Sequence, residues 1–113
     1  MTNNIEYNNF IQAMGSYNLD SISNKLIEKG HWSDGVSLIA FNTTDGKISS
    51  VSVCASTNGL PQNDVKQISV DEFIDIYTHL TAHYIKQNPA SEKEYEEIFT
   101  NMISYLNQNK FVE

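Results

Sequence analysis

The sequence predicts an α+β domain: two N-terminal helices, a central antiparallel β-hairpin or three-stranded meander, then two C-terminal helices. Three observations predict it. Apolar residues recur at helical spacing toward both ends of the chain. A block rich in β-branched and aromatic residues surrounds an Asp-Gly pair in the middle. Two Ser-x-x-Glu sequences, the signature of a helix start, follow that block. No βαβ alternation is visible, which argues against a doubly wound nucleotide-binding fold.

Each element has its own signals. Asn3 suits the N-cap of a first helix, with Glu6 as the return partner; Tyr7, Phe10, Ile11 and Met14 form its stripe and Gly15 ends it. A second helix is expected from near Asn18 to Lys29, with Leu19, Ile22 and Leu26 on its apolar side and Gly30 stopping it. His31 to Gly35 breaks the helical period and reads as a turn. Val36 to Phe41 reads as a strand, Thr43 to Gly46 as a hairpin turn, and Ile48 to Ala55 as the returning strand. Ile48 falls out of step with Val51, Val53 and Ala55, so a bulge is expected around Ser49. Ser56 to Asp64 reads as an exposed loop and Val65 to Ile68 as a short third strand. Ser69 and Glu72 form a capping box, with Ile68 stapling against Phe73; Phe73, Tyr77, Leu80 and Tyr84 follow as a stripe, and Asn88-Pro89 ends the helix. Ser91 and Glu94 suggest a second capping box before Tyr95, Ile98, Phe99, Met102 and Leu106.

The 113 residues have the length of one domain, and 40% hydrophobic content suffices for a packed core. Residues 1–113 are therefore read as a single domain, and no internal repeat is visible. No apolar run approaches the roughly 20 residues that span a bilayer. Met1 to Phe10 holds no basic segment followed by an apolar block, so no secretory signal is expected. A lone cysteine, Cys54, excludes an intrachain disulfide and fits a reducing, cytoplasmic setting. Cys54 itself is expected half-buried at a strand end rather than acting as a nucleophile, which would need a base beside it.

Charge narrows the function classes. Fourteen acids face seven lysines and no arginine, a net charge of −7. Arginine is the usual fork for phosphates and guanine edges, so DNA, RNA and anionic membranes are not the expected partners. A basic protein is. Residues 67–113 carry eight acids and three lysines, so the acidity is concentrated there. Asp71, Glu72 and Asp75, together with Glu92, Glu94, Glu96 and Glu97, form a candidate acidic recognition face. The competing reading is that acids at helix starts merely complement the helix dipole. Trp32 is a candidate binding hot spot, or else a plug in the turn.

Two constellations carry potential chemistry. Asp75, His79 and His83 are spaced four apart on one helix, and two histidines at that spacing can grip one metal ion. They equally suit a solvated stripe, and the glutamate of a His-Glu-x-x-His motif is missing, since Leu80 follows His79. His31 beside Asp34 could supply a base and its orienting carboxylate, although such near neighbours usually build a turn. Phosphate loops, nucleophile elbows, paired Cys-x-x-Cys sequences and calcium loops are absent. The expectation is therefore a non-enzymatic, cofactor-free module that binds a basic protein, in its concrete form an inhibitor or immunity protein against a nuclease-type toxin. A metal-dependent domain built on Asp75, His79 and His83 and a regulatory homodimer are the alternatives.

Overall fold

The computed structural model describes residues 18–33, 38–54 and 65–111. The expected first helix, Asp34 and the Ser56–Asp64 loop lie outside the described residues.

Helix α1 spans Leu19–Lys29. Asn18 caps it in extended geometry, its Oδ1 accepting from the Ser21 amide at 3.2 Å. Gly30 closes it at φ 79°, its amide donating to the Leu26 carbonyl at 2.9 Å. Only glycine adopts that left-handed conformation at no steric cost. The chain then enters strand β1, His31–Ser33, where a turn was expected. His31, Trp32 and Ser33 pair antiparallel with Ala40, Ile39 and Leu38, and Phe41 N–H donates to the Gly30 carbonyl at 2.8 Å. A three-residue strand is too short to show alternation, so tertiary pairing decides its structure.

Strands β2 (Leu38–Thr44) and β3 (Lys47–Cys54) form the hairpin. Asp45 and Gly46 turn it with φ of 54° and 81°, the positive pair that matches the twist of the flanking strands. The bulge falls where expected. Asn42 pairs with Ser50 and Thr43 with Ile48, which leaves Ser49 as the extra residue and turns Ile48 into the core. Strand β4, Lys66–Ile68, pairs antiparallel with Val51–Val53. The result is a four-stranded antiparallel sheet in the order β1-β2-β3-β4, one strand more than expected.

Helix α2 spans Val70–Gln87. Its capping box is complete: the Glu72 amide donates to Ser69 Oγ at 3.0 Å, and the Ser69 amide to Glu72 Oε1 at 3.2 Å. A 3-10 turn at Pro89–Ser91 leads directly into helix α3, Glu92–Asn109. The second expected capping box does not form. Ser91 belongs to the 3-10 turn, its amide donates to the Asn88 carbonyl, and its side chain accepts no bond from α3. Pro89 starts that turn, and the preceding turn of backbone feeds the new helix in place of a side-chain cap. Ring contacts fix the direction of the helix pair: Tyr77 stacks on Phe99 and Tyr84 lies against Tyr95, so α3 runs antiparallel to α2.

All three described helices lie on one face of the sheet, and a single apolar cluster joins Leu26, Ile39, Val51, Phe73, Met102 and Leu106. Within it Ser23 and Tyr77 share a hydrogen bond of 2.6 Å that ties α1 to α2. The opposite sheet face is polar in its hairpin half, while Leu38, Ala40 and buried Cys54 make its other end apolar. Asn42 Nδ2 donates to Ser50 and Ser52 Oγ, and Gln67 Nε2 donates to Ser50 Oγ. The end of α3 is held from two sides. Lys47 Nζ reaches the Gln108 carbonyl at 3.4 Å, supplying the cation that the last turn of α3 lacks. The Phe111 amide donates to the Ile48 carbonyl at 2.7 Å, laying the chain alongside β3.

Candidate functional site

The seven acids of the candidate recognition face are all exposed, but the fold separates them. Asp71, Glu72 and Asp75 sit at the start of α2, and Glu92, Glu94, Glu96 and Glu97 at the start of α3. Because the helices run antiparallel, these starts point to opposite ends of the pair. Tyr84, beside Tyr95, lies about 20 Å along α2 from Asp71 at ~1.5 Å per residue. Glu72 is also committed locally, through its bond to the Ser69 amide. The two groups are therefore distinct patches.

The α3 glutamates divide again. At ~100° per residue, Glu94 and Glu97 share a stripe with Ile98 and Asn101, whereas Glu92 and Glu96 lie roughly 160° around the helix from Glu94. The Glu94 stripe borders an open cleft of about 800 Å³. Asn18, Leu19 and Asp20 from the start of α1 form one wall, Glu94, Glu97, Ile98 and Asn101 the other, and Tyr84 and Tyr95 complete the lining. Asp20 Oδ1 accepts from Asn24 Nδ2 at 3.2 Å. Among the described residues Asp20, Glu94 and Glu97 form no ion pair. Burial holds the Tyr84 phenol well above its ordinary range, with further opposition from Tyr95 and Tyr77, so it stays neutral beside the carboxylates. The cleft thus combines three carboxylates from two helices with apolar and aromatic lining.

Other candidates move. Trp32 is 6% exposed and belongs to the core, so it is no surface hot spot. Its pairing with Ile39 turns it toward the helices. Cys54 is buried at 7% exposure, deeper than half-buried. His31 is exposed on β1. His79 is exposed on the outer side of α2, and His83 is half-buried on its flank against Tyr84. Among the described residues no three His, Cys, Asp or Glu side chains converge to hold a metal ion. None of the described helices is long and apolar enough to cross a membrane.

Asp20, Asn18 and Asn101 were not among the expected site residues. The spacing of Glu94, Glu97, Ile98 and Asn101 is a readable stripe, but no local signal places Asp20 opposite it. Comparison with protein-family models, with curated proteins and with solved structures finds no match.

Proposed function

We propose that this chain is an acidic protein-binding module that captures a basic protein at the cleft between the starts of α1 and α3. The observation that carries the reading is the meeting there of Asp20, Glu94 and Glu97, which among the described residues have no cationic partner. Such carboxylates attract cationic side chains and raise the rate of encounter with a positively charged surface. Tyr95 and Ile98 beside them offer apolar contact for the stems of lysine or arginine. The concrete form is an inhibitor or immunity protein for a nuclease-type toxin. A nuclease site is basic because it holds phosphates, and carboxylates can occupy the places those phosphates would take. On this reading the module is not an enzyme, needs no cofactor and works in the cytoplasm.

The test begins with capture from a lysate of the source cells and identification of the protein retained. That protein is then purified and assayed for nuclease activity with and without this chain. The reading expects a basic nuclease inhibited at equimolar ratio, with inhibition lost in the Asp20→Lys, Glu94→Lys, Glu97→Lys triple variant while circular dichroism is unchanged. Full inhibition by that variant removes the cleft from the interface; a captured acidic or neutral partner removes the charge argument altogether.

A further inference from the structure

The outer side of α2 carries a second feature that the cleft does not use. His79 and His83 are one turn apart on an unbroken helix: His79 is exposed on the side away from Phe73, Tyr77, Leu80 and Tyr84, while His83 is half-buried on the flank, its ring edge-on to Tyr84 at 6.4 Å between centroids. The Asp75 main-chain carbonyl lies 2.8 Å from His79 Nδ1. A carbonyl only accepts, so Nδ1 carries the proton and Nε2 keeps its lone pair for a ligand. Metal-bound histidines are commonly oriented in this way, with the second ring nitrogen donating to a carbonyl or carboxylate. The Asp75 carboxylate stands 3.8 Å from the same Nδ1, behind the ring rather than beside the lone pair. It therefore stabilises a cationic complex at His79 without being a ligand.

We propose that His79 and His83 chelate one late first-row divalent metal ion at the solvent-facing edge of α2. Since no third His, Cys, Asp or Glu among the described residues joins them, the remaining coordination positions stay with water. This is an open two-imidazole chelate, unlike a closed structural zinc centre. Imidazole ligands select nickel, copper or zinc over magnesium or calcium.

The probe is nickel(II), added to the untagged full chain and followed by calorimetry and by paramagnetic broadening of backbone amide signals. The expected result is one ion per chain, with broadening centred on residues 75–87. His79→Gln, at an exposed position, and His83→Gln, at a half-buried one, are each expected to weaken binding roughly a hundredfold through loss of the chelate while circular dichroism is unchanged. Equal affinity in the wild type and in either single variant overturns the proposal, as does broadening centred on His31 or on the cleft carboxylates.

Discussion

The hydrogen bond between Ser23 and Tyr77 allows a sharp test of how α1 is fastened to α2. It is 2.6 Å long, and Ser23 and Tyr77 are 2% and 1% exposed. Ser23→Ala leaves the Tyr77 hydroxyl buried without that partner, which costs about 1–3 kcal/mol. Tyr77→Phe keeps the stacking on Phe73 and Phe99 and strands Ser23 instead. A helical serine can turn its hydroxyl back to the carbonyl four residues earlier, so this variant should cost less, about 1 kcal/mol. The double variant removes both polar groups and should cost no more than Ser23→Ala alone. For a chain of this size 1 kcal/mol moves the melting temperature by about 4 °C. Urea denaturation of the wild type, both single variants and the double variant gives the coupling directly. Losses that simply add in the double variant would refute the reasoning, because they would show that the two hydroxyls contribute independently.

Three further outcomes are expected. Ser69→Ala should lower stability by about 1 kcal/mol in thermal melts, whereas Ser91→Ala should change it by no more than about 0.5 kcal/mol, since only Ser69 accepts a bond from its helix. Gly46→Ala should cost about 1 kcal/mol in the same assay; an added Cβ meets nothing within 4 Å, so the penalty comes from the backbone at φ 81° and not from a clash. Alkali should unfold the protein through its buried phenols. Burial pushes Tyr77 up to about 12 from 10.0, its bond to Ser23 offsetting only part of this, and Tyr84 shifts the same way. The folded state holds these protons more tightly than the unfolded chain. Their stabilisation is therefore complete below about pH 10 and falls by about 1.4 kcal/mol per pH unit per tyrosine as pH rises toward 12. Urea midpoints measured across that range check it, and Tyr77→Phe should flatten the decline.

Much of the architecture was legible because several local signals agreed. Ser69, Glu72 and the stripe from Phe73 to Tyr84 all specify one helix start and one buried side. Asp45-Gly46 specifies the hairpin, and the parity slip at Ile48 reveals the bulge at Ser49. What failed depended on context. His31–Ser33 forms a strand because Ile39 and its neighbours offer a pairing edge, and Trp32 is drawn into the core with it. Ser91 and Glu94 match a capping box in spacing, yet Pro89 sets up a different entry to the helix. At the candidate site, Glu94 and Glu97 could be picked from the sequence as acidic. Their separation from Glu92 and Glu96 follows from helical geometry, while their proximity to Asp20 follows only from how α1 packs.

The tight link between α2 and α3 has an electrostatic consequence. It gives the surface two negative poles about 20 Å apart, whereas the Debye length in physiological salt is about 8 Å. Each pole is screened from the other, so an approaching cationic surface senses them as separate attractors. A small ligand protein can therefore engage one while the other stays hydrated.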